Sequence, residues 1–226
     1  MTRYKWYRLG LPRDISHLIG GIKKKIFTAE SVSGFIVMQS DSGGDNFKYA
    51  WRSKIAATDI DAEGNSVIQS ILTVSVCEFS IFSKFDQVWL RVADPPRSSK
   101  ELLDALESVV GFGFYVETIV FSSAVHAALL RNVDDCRLVS FKGVGAVAEE
   151  KAVARIEMAS KSGLNLDRFD FLRKIDYSVD HALYEVVFRR EKGQVAFSIS
   201  GMVKIGGSLQ PYILGLVESE LPKKAA

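Results

Sequence analysis

The feature that most limits how this chain can fold is a series of β-branched and aromatic runs between residues 33 and 95. Short segments rich in glycine, aspartate and asparagine separate these runs, and such residues favour tight turns. The pattern therefore predicts an antiparallel β meander. Two further runs, at 173–190 and 194–205, predict a long β hairpin near the C-terminus.

The run from Ser66 to Phe82 is unusually long for a single strand. It would span roughly 55 Å at about 3.3 Å per residue. Most strands are much shorter, so we expect a bulge, a strong bend or a division into two strands within this run.

Helical patterns occupy four segments, and a helical turn is predicted at 166–172. The strands do not alternate regularly with long helices, which argues against a doubly wound parallel sheet. We therefore predict an α+β fold, a mostly antiparallel β meander and hairpins with about four to five helices packed on the sheet. The chain is predicted to form one domain over 1–226, with a subdivision near 94–98 or 132–136 as the alternative. The helical segments are 14–27, 98–110, 122–132 and 207–221.

The composition is that of an ordinary globular protein, with 226 residues, 47% of them hydrophobic and 25% charged. The two cysteines form no CxxC pair, which fits a reducing compartment. The N-terminal segment has charges throughout and lacks the apolar core of a secretory signal. Uncharged runs reach only about 13 residues, whereas a membrane-spanning helix needs about 20. We therefore expect a soluble cytoplasmic protein without membrane partners.

Positive charge is concentrated at the N-terminus. Residues 1–25 carry seven basic side chains and one acidic side chain, whereas the remainder carries 22 basic and 26 acidic side chains. In "RYKWYR", residues 3–8, basic and aromatic side chains interleave, as on surfaces that hold phosphates and stack on nucleobases. An amphipathic edge strand with Trp6 in the core would give the same pattern, and lysines at a helix C-terminus suit the helix dipole.

From this segment we predict binding to an anionic partner, either nucleic acid or an acidic protein surface. The predicted contact residues are Arg3, Lys5, Trp6, Arg8, Arg13, Lys23, Lys24 and Lys25.

The stretch "FKGVGAVAEEK", residues 141–151, has three interpretations. The spacing Gly143-x-Gly145-x-x-Ala148 resembles a phosphate-binding loop, which requires a helix after the glycines. Two observations oppose a phosphate-binding loop. The preceding strand is too short and polar to be buried on both faces. The chain after Asp167 predicts a hairpin and not the further strand–helix units of such a fold. In a second interpretation the stretch is a plain turn, with Gly143 and Gly145 supplying positive φ. The third interpretation is a nuclease motif.

A metal-dependent nuclease or phosphodiesterase would use Asp135 and Glu149 as ligands, with Lys151 beside the attacking water. This interpretation requires a strand after the glycines. With a turn near Gly143, the two carboxylates would be offset by roughly 16 Å along the strands, too far to share one ion. The hypothesis predicts metal-dependent turnover that Glu149→Gln abolishes.

The sequence does not decide whether the chain is an enzyme, and it identifies no cofactor and no resident metal site. We predict a binding or assembly protein, including the case of a subunit of a larger complex. The nuclease or phosphodiesterase is the alternative.

Overall fold

The computed structural model describes residues 1–39, 44–60, 64–121, 123–147 and 152–222. Within these ranges the chain forms eleven strands of one sheet and four α-helices. The antiparallel sheet was predicted correctly, but the α+β fold with four to five helices packed on it is wrong, because the protein is mostly antiparallel β. The α-helices have only 8 to 11 residues, whereas two strands reach 16 and 19 residues.

The strands are β1 Thr2–Gly10, β2 Ser33–Val37, β3 Asp45–Ile60, β4 Ser66–Lys84, β5 Gln87–Ala93, β6 Tyr115–Thr118, β7 Asp135–Val147, β8 Ala152–Ala159, β9 Asp176–Phe188, β10 Glu191–Ser198 and β11 Met202–Ile205. The α-helices are α1 Ile15–Lys24, α2 Lys100–Val110, α3 Ser123–Leu130 and α4 Gln210–Ser219. Short 3-10 helices occupy Leu166–Arg168, Asp170–Lys174 and Gly207–Leu209.

Contacts divide the chain into two compact units. We call residues 7–117 the N-unit, and residues 1–6 together with 118–226 the C-unit. The predicted single domain over 1–226 remains a prediction. In the described part of the chain, no helix combines the length and the apolar composition needed to cross a lipid bilayer.

In the N-unit, the strand order is β2-β3-β4-β5-β1, and β6 also pairs with β1. Helix α1 begins where the Asp14 carboxylate accepts a hydrogen bond from the His17 backbone N–H at 3.1 Å. Its apolar stripe buries Leu18 and Ile22, which join Leu102 and Leu106 of α2 in the core. Burying each of these side chains contributes roughly 1.5–3 kcal/mol relative to exposure.

Strands β3 and β4 pair without a register shift from Asp45↔Ile81 to Ile60↔Ser66. The bulge or break predicted within residues 66–82 is therefore absent from this pairing. Beyond Arg52 the pair leaves the N-unit core, and residues 66–72 are all exposed. A strand need not coil around a core that it does not contact, which explains how it continues uninterrupted.

In the C-unit, the strand order is β1-β11-β10-β9-β7-β8. The two helices contact one face of this sheet. His126 of α3 stacks on Phe197 with the ring centroids 4.2 Å apart, and Tyr212 of α4 meets Phe188 at 5.5 Å. Phe188 and Phe197 point to the same side, because Phe197 pairs with Ala182, six residues from Phe188 along β9.

Candidate functional site

Gly143 and Gly145 lie inside strand β7, not in a phosphate-binding loop. Val147 of β7 pairs with Ala152 of β8, so the described segment that follows is a strand. This finding contradicts the phosphate-loop interpretation, which needs a helix there. The turn interpretation is also wrong in one respect, since neither Gly143 nor Gly145 has the positive φ that it required.

Close packing, not backbone conformation, explains these two glycines. A Cβ placed on Gly145 would lie 2.4 Å from Ile175 Cγ2 and 2.9 Å from the Asp176 carbonyl oxygen. A Cβ on Gly143 would lie 3.0 Å from the Ser178 carbonyl oxygen. Any larger residue would therefore push β7 away from the neighbouring chain segment.

Only one of the three nuclease candidates lies within the described residues. Asp135 is the first residue of β7 and pairs with Val187. Strand β7 has 13 residues, so Asp135 lies roughly 40 Å along the strand from Val147. Glu149 and Lys151 lie outside the described residues, and the nuclease hypothesis therefore stays a prediction. Across the described ranges, no three His, Cys, Asp or Glu side chains are grouped so that they could hold a metal ion.

Trp6, which was predicted to stack on a base, is completely buried. Its ring meets Phe121 edge to face at 5.8 Å. Tyr4 and Tyr7 are also buried, at 4% and 5% exposure. The aromatic residues of the N-terminal segment therefore build core structure, and none of these three presents its ring to solvent.

Arg8, in the N-unit, is held by polar partners. It donates to the carboxylate of Glu117 and, at 3.4 Å, to the side-chain oxygen of Gln87. Arg13 is exposed between β1 and α1. These contacts hold the Arg8 side chain against the sheet of the N-unit.

The three predicted lysines lie at the C-terminal end of α1, where they suit the helix dipole. Lys23 is 3.8 Å from the Asp45 carboxylate. Lys24 and Lys25 line a hollow of about 410 Å³ together with the acidic Glu101 and Asp104. The positive charge of this group is therefore partly offset by its acidic surroundings.

Arg3 and Lys5 lie in the part of β1 that pairs with β11 in the C-unit. Arg3 is directly opposite Lys204, and Lys5 is opposite Met202. Residues that are opposite each other in an antiparallel pair share a sheet face. Arg3, Lys5 and Lys204 therefore point to one side.

The strand ladder extends this side across the C-unit. Lys204 pairs with Ala196, Ala196 pairs with Leu183, and His181, two residues along β9, pairs with Lys142. This side is opposite to that of Phe197, the residue that α3 contacts. We call Arg3, Lys5, Lys142 and Lys204, with His181, the basic face.

The pKa of His181 reflects burial and the positive charge of two neighbouring lysines. Its pKa is lowered, first by burial and then by the charges of Lys204 and Lys142. Its Nδ1 is buried and has no hydrogen-bond partner in the structure as described. Lys142 also pairs with Glu157 at 2.6 Å, and Glu185 lies on the same side of β9 as His181, so this side of the sheet also carries acidic side chains.

Sequence reasoning missed Lys142 and Lys204. Each lies among apolar or small residues on a strand, a pattern that predicts an outward-facing lysine. The chain order does not reveal that β7, β9, β10 and β11 bring the two lysines to one face.

No protein-family model matches the chain, and a search of the curated proteins also finds no match.

Proposed function

We propose that the chain is a binding or assembly protein that docks an acidic surface of a partner protein on the basic face. The observation that carries the proposal is the pairing of β1 with β11, which sets Arg3 opposite Lys204. The charges of Lys204 and Lys142 both lower the pKa of His181, so these two lysines act on a common region.

Burial of the aromatic residues favours an acidic protein over nucleic acid. Recognition of single strands relies on exposed aromatic rings that stack on bases. Tyr4, Trp6 and Tyr7 are all buried. Binding at the basic face is therefore argued from charge alone. Charge complementarity between two proteins requires no stacking surface.

Such a face contributes more to orientation and association rate than to affinity. Each exposed ion pair adds only about 0.2–1 kcal/mol and is weakened by salt. An anionic partner would also favour protonated His181, because it would oppose the repulsion from Lys142 and Lys204.

The experiment measures binding of fluorescent poly-L-glutamate at increasing salt, with single-stranded and double-stranded DNA as competing probes. The triple variant Arg3→Ala, Lys5→Ala, Lys204→Ala should bind poly-L-glutamate about tenfold more weakly and with less salt dependence. The matched control Lys23→Ala, Lys24→Ala, Lys25→Ala removes the same charge from α1 and should bind like the parent.

Equal binding by the triple variant and the parent would refute the role of the basic face. A loss only in the α1 control would assign the contact to the lysines of the N-unit. Tighter binding to DNA than to poly-L-glutamate at the same salt concentration, lost in the triple variant, would make nucleic acid the partner.

A further inference from the structure

The paired strands β3 and β4 extend beyond their neighbours in the N-unit sheet. Strand β2 pairs with β3 only as far as Trp51, and β5 pairs with β4 only from Glu78 onward. We call residues 53–60 and 66–76 the β arm. Among the described residues, no strand pairs with either outer edge of this arm.

Both faces of the β arm carry exposed aliphatic side chains. Eight large aliphatic side chains each leave between 42% and 74% of their surface exposed. Fully burying such a side chain removes roughly 100 Å² from water, so these eight leave on the order of 500 Å² of apolar surface uncovered. They are Ile55, Ile60, Val67, Ile68, Ile71, Leu72, Val74 and Val76.

This area matches what one partner contributes to a stable interface. A standard interface buries about 800 Å² on each partner, of which about 60% is apolar. The largest apolar patch on a typical monomer is about 300–600 Å² and is often functional. The area is divided between the two faces of the arm, so the arm reaches this size only where a partner continues the sheet and adds to both faces.

The outer edge of β4 lacks the features that prevent edge strands from pairing. Such strands are normally short, or they carry charges that oppose pairing. Strand β2 is only five residues long, and the edge strand β8 carries Arg155 and Glu157. In contrast, the twelve residues from Ser66 to Cys77 include no charged side chain.

We propose that the β arm joins two copies of this chain, with the outer edge of β4 pairing antiparallel with the same edge of the second copy. An uncharged apolar edge is complementary to itself, and a two-fold axis lets each copy satisfy the other's backbone groups. The inference is independent of the basic face, because it uses residues of the other unit and no charged groups.

The two-fold axis restricts the register. Residues that face each other must share a side of the sheet, so the axis passes beside a residue and not between two. The middle of the uncharged run 66–77 then places the axis beside Ile71 or beside Leu72. Centred on Ile71, the pairing sets Ile68 against Val74 of the second copy, and Ser70 against Leu72. Centred on Leu72, it sets Ile68 against Val76 of the second copy.

The test compares molecular mass in solution across protein concentrations by light scattering and sedimentation. The parent should be a dimer, and Ile68→Lys should raise the dimer Kd about 100-fold or more, because the symmetric interface contains the substitution twice. The matched control is Val153→Lys on β8, which adds the same charge at an aliphatic side chain that is 71% exposed. It should leave the dimer unchanged.

Cysteine cross-linking tests the register without weakening the fold. In a Cys136→Ser background, either Ile71→Cys or Leu72→Cys should form a disulfide between copies, because opposite residues have Cα atoms about 4.5–5.5 Å apart. A monomeric parent would overturn the proposal. So would a dimer that Ile68→Lys leaves intact, or one that neither cysteine variant cross-links.

Discussion

Acid should destabilise the C-unit through His126. This ring is 5% exposed, and burial lowers its pKa from 6.5 to about 4, although a hydrogen bond with the Phe121 backbone acts in the opposite direction. Its Nε2 is buried without a hydrogen-bond partner among the described residues. The ring stacks on Phe197, so a proton there would place an unpaired charge in an apolar site.

The sign and size of the effect follow from linkage. Between pH 6.5 and 4 the unfolded chain binds a proton at His126 that the folded chain does not bind. The contribution of His126 to the free energy of unfolding is therefore fully present above about pH 6.5 and is lost as the pH drops toward 4. Below about pH 4 this group changes the stability little further. A shift of this size corresponds to about 3 kcal/mol of lost unfolding free energy.

Urea unfolding at a series of pH values measures this loss. His126→Phe keeps an aromatic ring against Phe197 but removes the titrating group. Between pH 6.5 and 4 the variant should therefore lose about 3 kcal/mol less unfolding free energy than the parent. NMR titration should show the His126 ring still neutral at about pH 5. Parallel pH profiles for the parent and the variant, or titration of His126 near 6.5, would refute the reasoning.

Two further predictions concern glycine and cysteine. Gly201 has φ 76° and an added Cβ would lie 1.8 Å from the Ile119 carbonyl oxygen, so Gly201→Ala should cost roughly 3 kcal/mol or more. Gly64 has φ 85° with open space around it, so Gly64→Ala should cost only about 1 kcal/mol, and equal shifts in thermal unfolding would contradict this explanation. Burial raises the pKa of the Cys77 thiol to about 11, whereas Cys136 is exposed. A thiol reagent at about pH 8 should therefore modify Cys136 first and Cys77 only after denaturation, and mass spectrometry of the folded protein would reveal the opposite order.

Local sequence signals located the helices but did not show that strands dominate the fold. Each of the four α-helices lies within a segment that the sequence predicted to be helical. Strand length depends instead on how far the paired strand continues, as the uninterrupted pairing of β3 with β4 shows. The expected interruption in 66–82 was based on the usual length of strands, whereas residues 66–72 of β4 are exposed and need not follow a core.

The N-terminal charge pattern illustrates the same limit for the candidate site. Interleaved basic and aromatic residues suit a base-stacking surface and also suit a strand whose aromatic residues lie in a core. Burial of Trp6 supports the second explanation. Lys142 and Lys204 joined the site because β7, β9, β10 and β11 lie side by side, and no local pattern contains that information.

Residues 152–159 show why pairing can outweigh intrinsic preference. Alanine, glutamate, arginine and methionine favour helix here, but the buried and half-buried positions, Ala154, Ile156 and Met158, alternate as on a strand. Strand β7 offers these residues a complete ladder, from Ser140↔Ala159 to Val147↔Ala152. A helix would leave that edge of β7 unpaired and would lose the period-two burial. The glycines of β7 allow the close approach of the chain on its other side, so the stretch that resembled a cofactor loop instead supports the pairing of three strands.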